Sequence, residues 1–408
     1  MSGWRLPTRV FVQPGGIATL LPQLAASLGT RVALVTDPGL ESTPWPARVE
    51  AALRGVGLSV GLRFAQVEAN PRAATVDALG AAVRESKADV VLALGGGSAI
   101  DAAKAAAMLA TNTGPITAFE GKNKFSAKPL PLLAIPTTCG TGSEVTWVSV
   151  ITHAAQQRKI SVKGDAMFPA VALVDAHVLR TLPRELVAYT GVDALTHALE
   201  ATLCRAGVRN AISCSLAEDA TALLFQHLRA AADGTRQESA EAEAARAAVL
   251  RASTLAGMAF GNSDVGAVHC LSESIGGVWD VPHGLGNAVF LAATLRHHLA
   301  VEDAITSERA PYVRARLTRL AARCAADAPA AMARADDRYA RGGPSAEWFL
   351  SALDALVRDL RVPPFSALRL PEAEHARIAA LAVANGSNGS NPSDMGTADY
   401  MHIIRQAG

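Results

Sequence analysis

Asp193 and His197 stand four residues apart in Gly191-Val192-Asp193-Ala194-Leu195-Thr196-His197-Ala198-Leu199-Glu200. On a helix, that spacing projects both side chains from one face. A carboxylate and an imidazole that converge there can hold a divalent cation such as Zn2+ or Fe2+. Taken alone, the pair serves equally well as a buried aspartate–histidine hydrogen bond. Two further histidines favour the metal. His269 lies in Gly266-Ala267-Val268-His269-Cys270-Leu271-Ser272-Glu273, which is apolar enough for a buried helix. His283 lies in Val281-Pro282-His283-Gly284, at the start of another helical stretch. Both sit among glycines and small residues, where a ligand can approach closely. Glu273 follows His269 by four and shares its helix face. Spacing alone leaves it either a fourth ligand in place of His283 or a partner that orients an imidazole. His153, His177, His227 and His298 lack such settings and read as surface or packing residues, and His297 stays open.

A second group of residues suits a nucleotide. Gly95-Gly96-Gly97-Ser98-Ala99-Ile100-Asp101 follows a strand-like run and opens a helix-like one. Glycines there let a phosphate reach the backbone without meeting a Cβ, and a helix N-terminus offers unpaired N–H groups. Ser98 is read as the N-cap, with Asp101 at the third helical position. The pattern differs from the Gly-x-Gly-x-x-Gly fingerprint. Pro136-Thr137-Thr138-Cys139-Gly140-Thr141-Gly142-Ser143 packs hydroxyls and glycines after another strand-like run, the edge at which open α/β sheets bind ligands. Asp37 ends an earlier run. A carboxylate there can accept hydrogen bonds from ribose hydroxyls and would repel a 2′-phosphate, favouring NAD over NADP. Its plainer alternative is a turn aspartate before Pro38-Gly39. Cys139 and Cys270 are read as small packing residues.

These groups need elements to position them. Arg31–Thr36, Leu58–Val67, Asp89–Leu94, Leu130–Ile135 and Val171–Val174 are short apolar runs ending at turn residues. Near-continuous apolar strands suit a parallel sheet buried on both faces, and alanine-rich helical stretches such as Ala99–Ala110 lie between them. This predicts an open α/β domain, Rossmann-like, over residues 1–182. Beyond Leu182-Pro183 helical periodicity dominates: Val192–Leu203, Ser215–Ala231, Glu238–Phe260, Val265–Ile275, His283–Leu299 and Tyr312–Ala325. An all-α domain over 183–408 is expected. Asp336–Pro344 and Asn385–Ser393 read as loops.

The bulk numbers narrow the function. The chain has 408 residues, half of them apolar, a size that suits two domains. A formal net charge of +1, with no block of five like charges, argues against nucleic acid and anionic lipid as partners. No apolar run of about 18 residues is present, so no membrane-spanning helix is expected. Met1–Val10 lacks an apolar signal core and reads as the start of a soluble protein. Five scattered cysteines, none in a Cys-x-x-Cys pair, suit a reduced cytoplasmic setting.

At these residues the sequence resembles the iron-containing (group III) alcohol dehydrogenase family. The resemblance spans nearly the whole chain. It rests on the Gly-Gly-Gly-Ser-x-x-Asp turn at 95–101, the Thr137–Ser143 loop, the Thr190–Glu200 string, His269, Pro282-His283-Gly284 and Asn391-Pro392. It implies a dehydroquinate-synthase-like architecture: an α/β dinucleotide-binding domain, a helical domain, and an active site in the cleft between them. It implies Asp193, His197, His269 and His283 as metal ligands, with Fe2+ foremost and Zn2+ as the alternative, so the resemblance resolves the fourth ligand in favour of His283. It further implies that Asp37, Asn70, Gly96, Gly97, Ser98, Asp101, Thr137, Thr138, Thr141, Ser143 and Lys159 line an NAD site, with Val178 near the nicotinamide. Lys159 lies in Arg158-Lys159-Ile160, resembling the family's Lys-aliphatic strand.

One departure bears on catalysis. Many members of the family carry a second histidine four residues after the third ligand, and this chain has Glu273 there. An acid at that place unsettles the usual proton relay, and Glu273 is assigned to the substrate pocket. The expected reaction is hydride transfer between a small alcohol or aldehyde and NAD, with His269, His283 and Glu273 closest to the chemistry. Alternatives are a same-fold reductase of a functionalised polar or anionic carbonyl, of maleylacetate-reductase or phosphonate/hydroxy-acid aldehyde type, and a non-catalytic nucleotide- or metal-binding homologue. A homodimer is expected, with Arg9-Val10-Phe11-Val12 as a pairing strand.

Overall fold

The computed structural model describes residues 3–304 and 312–408. Only the first two residues of the Met1–Val10 stretch lie outside them. The chain forms two compact units. One comprises Arg5–Leu182 together with Thr235–Gly257, and the other chiefly Pro183–Gly234 and Met258–Gly408.

The first unit carries nine strands: β1 Arg9–Val12, β2 Arg31–Val35, β3 Ser59–Phe64, β4 Val90–Gly95, β5 Gly121–Lys122, β6 Leu132–Pro136, β7 Val148–His153, β8 Arg158–Lys163 and β9 Val171–Val174. Six form a parallel sheet in the order β1-β9-β6-β4-β2-β3. Burial follows position. β4, β6 and β9 are buried along their whole length, while the edge strand β3 alternates between exposed and half-buried residues. The five apolar runs picked out from sequence are five of these six strands. The sixth, β1, pairs in parallel with β9 of its own sheet, Arg9 against Val171 and Val12 against Val174.

β5, β8 and β7 form a second, three-stranded sheet in which β7 and β8 are antiparallel. Their sequences, Val-Ser-Val-Ile-Thr-His and Arg-Lys-Ile-Ser-Val-Lys, mix polar and apolar residues. A search for continuous apolar strands passes over such alternation.

The second unit is helical. Its central helix, Arg184–Leu203, is buried on every side from Gly191 onward, as an apolar surface all round requires. The helix starts eight residues before Val192, the start expected from sequence. Gly191 lies inside this helix and serves for packing: a Cβ there would stand 2.2 Å from Leu228 Cδ1 of the Ala211–Asp233 helix. Helices Ala267–Trp279, His283–Ala304 and Tyr312–Asp327 lie where periodicity put them. Ala346–Asp359, His375–Ala384 and Thr397–Gln406 follow, beyond the helices picked out from sequence. The two expected loops contain short turns, Asp337–Ala340 and the 3-10 segment Gly386–Ser390.

The expected single junction at 182/183 differs from the observed division. Most of the Ala240–Gly261 helix belongs with the α/β unit. The reason is contact: Thr254 Oγ1 donates to the buried Glu144 carboxylate at 2.8 Å, Glu243 pairs with Arg180, and Gly257 packs on the backbone of Gly142.

Candidate active site

Asp193 and His197 lie one turn apart on the central helix of the second unit, His269 near the start of Ala267–Trp279, and His283 at the first position of His283–Ala304. One ligand atom from each lies within 4.8 Å of all the others. Nε2 of His269 is 3.0 Å from Nε2 of His197. Asp193 Oδ1 is 3.6 Å from His197 Nδ1, 3.9 Å from His269 Nε2 and 3.7 Å from His283 Nε2. Asp193, His197 and His269 are buried, and the His283 side chain keeps 24% of its surface exposed. His197 also stacks on Phe260, with ring centroids 4.2 Å apart.

The surroundings set the imidazole tautomers. Glu200 Oε2 lies 2.5 Å from His269 Nδ1. A carboxylate there keeps the proton on Nδ1, so Nε2 presents its lone pair inward. The Glu200 oxygens also accept the N–H groups of Gly266 and Val268, each at 2.8 Å, while Asn391 Oδ1 accepts that of Ala267. One carboxylate thus caps a helix and aims a ligand. Ser272 acts likewise. Its hydroxyl donates to the His283 carbonyl at 3.0 Å, so its oxygen can accept from His283 Nδ1 at 3.2 Å, leaving Nε2 to the centre. Asn287 Nδ2 donates to Asp193 Oδ1 at 2.6 Å and fixes that carboxylate.

Three imidazoles and one carboxylate are a donor set for a divalent cation, and His269, His283 and Asp193 are each oriented by a second group. Burial opposes a proton on His269, but the carboxylates of Glu200, Asp193 and Glu273 outweigh it and raise its pKa. That concentration of negative charge is what a cation would offset. The residues present therefore fit a metal ion.

Glu273 lies outside this ligand set. It sits half-buried one turn beyond His269, and its Oε2 accepts Asn385 Nδ2 at 2.7 Å. The Asn385 oxygen is engaged by the Ser387 N–H at 2.9 Å, which fixes the amide with its nitrogen toward Glu273.

Most nucleotide candidates lie at the carboxyl ends of neighbouring strands of the first unit: Asp37 after β2, Gly96–Ser98 after β4, Thr137–Ser143 after β6 and Val178 after β9. A Cβ on Gly96 would stand 3.0 Å from Thr138, and one on Gly97 2.5 Å from Thr141. The turn and the loop are therefore in contact. The helix begins at Gly97 with Gly96 as N-cap and no side-chain cap. Ser98 is thus not the cap expected from sequence, because β4 runs to Gly95 and leaves one residue for the turn. The first N–H groups of the helix consequently suit an anion.

Asp37 caps the short helix Pro38–Glu41 through Leu40 N at 3.1 Å, and burial raises its pKa. Asn70 adopts φ 53°. Its carbonyl accepts Thr152 Oγ1 at 3.2 Å, and Thr152 pairs with Lys159 across the β7–β8 hairpin. Val178 is fully buried at 1% exposure. Asp101 and Ser143 are bonded to each other and to Lys104.

Glu200, Asn287 and Lys104 escaped the sequence reading as site residues. Glu200 had a signal: it follows Asp193 by seven and His197 by three, on the same helix face. Asn287 likewise follows His283 by four. Lys104 follows Asp101 by three in an alanine-rich stretch.

Family models match both parts of the chain: iron-containing alcohol dehydrogenase over residues 7–176, and the Fe-containing alcohol dehydrogenase family, C-terminal, over residues 187–408. The chain belongs to the iron-containing alcohol dehydrogenase family. It is similar to Alcohol dehydrogenase 4 of Saccharomyces cerevisiae, 36% identical over 291 residues that cover 71% of this chain and 74% of that protein. Among solved structures, a 1,3-propanediol oxidoreductase superposes with a TM-score of 0.88 at 28% identity, covering 100% of both chains. The sulfoacetaldehyde reductase of Bifidobacterium kashiwanohense, solved in complex with NAD+, superposes with a TM-score of 0.81 at 25% identity, over 100% of this chain and 98% of that one. This iron-type alcohol dehydrogenase is an oxidoreductase with the fold that its sequence led us to expect.

Proposed function

We propose that this alcohol dehydrogenase transfers a hydride between a small alcohol or aldehyde and NAD at a centre holding Fe2+, with Zn2+ as the alternative occupant. The observation that carries the reading is the convergence of Asp193, His197, His269 and His283 in a chain of this family. When bound, the cation supplies Lewis acidity to a substrate oxygen and the dinucleotide supplies the hydride acceptor. The chain's own residues do the rest. Glu200 and Ser272 hold the ring protons of His269 and His283 on Nδ1, and Asn287 orients Asp193. Asp37, Asn70, Gly96, Gly97, Ser98, Asp101, Thr137, Thr138, Thr141, Ser143, Lys159 and Val178 are assigned to the cofactor, Asp101 and Ser143 acting through the loop they fasten. The Asp37 carboxylate favours NAD, because it would repel a 2′-phosphate.

Treatment with a chelator should abolish activity, and Fe2+ or Zn2+ should restore it. Full turnover by the stripped protein would refute the metal assignment, and equal turnover with NADP would refute the role of Asp37.

Glu273 is assigned to the substrate pocket beside the centre. A carboxylate held there by Asn385 disfavours anionic substrates, which argues for a neutral alcohol over the anionic-carbonyl alternative. In Glu273→Gln, kcat/KM for 3-hydroxypropanoate relative to 1,3-propanediol should rise by about tenfold, the order expected for one charge at close range in a partly buried site. An unchanged ratio would remove Glu273 from the pocket.

The remaining expectations belong to the same reading. Five reduced, buried cysteines fit a cytoplasmic protein. Among the described residues no helix is long and apolar enough to cross a membrane. A homodimer joined along the edge strand β1 is consistent with the 49% exposure of Val12 and is testable by sedimentation.

A further inference from the structure

A threonine inside a helix can bond back to the carbonyl one turn earlier. In the second unit Thr190, Thr196 and Thr221 do so, donating to the carbonyls of Leu186, Val192 and Ala217 at 2.7, 2.9 and 2.8 Å. Thr294, inside the His283–Ala304 helix, does not. Its hydroxyl is buried without a hydrogen-bond partner among the described residues, and so is Nδ1 of His298, one turn further along the same helix. Thr294 is 1% exposed and His298 5%. Buried polar atoms are costly unpaired, so two on one helix face require a shared partner.

Both side chains line one cavity, together with Glu200, Val268, Leu295 and Asn391. It has room for one water molecule. Other polar groups around it are already engaged. Asn391 Oδ1 accepts the Ala267 N–H and its Nδ2 donates to the Asn388 carbonyl at 3.0 Å. Ser390 Oγ donates to Asp264 Oδ2 at 2.6 Å, and Cys204 Sγ donates to the Asp264 carbonyl at 3.3 Å. Glu200 has capacity left. Its Oε2 meets the Gly266 N–H and His269 Nδ1, but among the described residues Oε1 accepts the Val268 N–H alone. A carboxylate oxygen has two lone pairs. Burial keeps the His298 ring neutral, so one of its nitrogens is an acceptor.

We infer that one buried water occupies this cavity, accepting from Thr294 Oγ1 and donating to His298 Nδ1 and Glu200 Oε1. Three bonds are the usual complement of such a water. Thr294 and His298 are thereby positioning residues. They act through the water on Glu200, the carboxylate that aims His269. This second part rests on the metal reading above.

The test compares Thr294→Val and Thr294→Ser with wild type in the full-length protein. Thermal midpoints are taken with metal and with chelator, and metal affinity is read by competition with a chelator. Thr294→Val keeps the shape and removes the hydroxyl. If the water is there, it strips a partner from a buried polar group, and the midpoint should fall by about 2 °C in both conditions. In a dry cavity the same change removes an unpaired hydroxyl, and the midpoint rises. Metal affinity should drop by about 3- to 10-fold in Thr294→Val, less than for loss of a group that touches the ligand itself. Thr294→Ser keeps the oxygen and should retain wild-type affinity, although loss of a methyl lowers its midpoint. A raised midpoint in Thr294→Val would overturn the water. Unchanged metal affinity in Thr294→Val, or an equal loss in Thr294→Ser, would overturn the positioning role. A wild-type protein that binds no metal would instead refute the metal reading, and the midpoints would still decide the water.

Discussion

Glu200 meets three demands with one carboxylate: it accepts two N–H groups at the start of the Ala267–Trp279 helix and holds the Nδ1 proton of His269. Glu200→Gln keeps the shape but loses the charge that makes the imidazole a better ligand. We expect metal affinity to fall by about 10- to 100-fold, the usual cost of removing such a partner, measured by competition with a chelator. An unchanged affinity would reduce Glu200 to a helix cap. His298 makes a second prediction. Burial pushes its pKa down to about 4 from an ordinary 6.5. Between those values the unfolded chain binds a proton that the native chain refuses, so stability is lost as pH falls through the window. The full difference is about 3 kcal/mol. In His298→Gln the unfolding free energy should depend less steeply on pH from 7 to 4 by roughly that amount. Parallel curves for the two proteins would contradict the assignment.

At the scale of elements, the Ala240–Gly261 helix and the threonine loop meet glycine to glycine. Gly142 has φ 59°, and a Cβ on Gly257 would stand 2.7 Å from Gly142 Cα and 2.8 Å from its carbonyl oxygen. Backbone cannot move aside as a flexible side chain can. Gly257→Ala should therefore cost about 1–3 kcal/mol of stability and raise KM for NAD through the displaced loop. A variant with wild-type thermal midpoint and KM would show that the contact has slack. The alanine-rich face of Gly97–Leu109 follows the same logic, since small side chains let the helix lie close to strands that are themselves fully buried.

For the whole molecule, the proposed metal ligands lie in the helical unit, and the assigned cofactor residues lie in the α/β unit. Removal of the metal should therefore destabilise the helical unit while NADH binding persists. With metal at about a thousandfold over its dissociation constant, the loss is about 4 kcal/mol. Calorimetry of chelated and loaded protein, beside NADH fluorescence of both, checks this. Loss of NADH binding on chelation would mean that the two sites are coupled.

Much of this was legible from residue order. Four core strands declared themselves because a strand buried on both faces must be apolar along its length, as Asp89–Leu94 is, and the half-exposed edge strand β3 was picked out beside them. Asp193 and His197 declared themselves by helical spacing, His269 and His283 by their settings among glycines and small residues, and the resemblance chose His283 over Glu273 as the fourth ligand. The β7–β8 hairpin stayed hidden because its polar and apolar residues are interleaved, and the packing of Gly191 against Leu228 depends on a neighbour from another helix. Periodicity acts within one element, so sequence alone determined which faces carry chemistry. Only the tertiary structure decided which faces meet: Glu200 with His269 across 69 residues, Asn385 with Glu273 across 112, and Lys104 with Ser143 across 39. Those pairings depend on distances through space, and no local spacing encodes them.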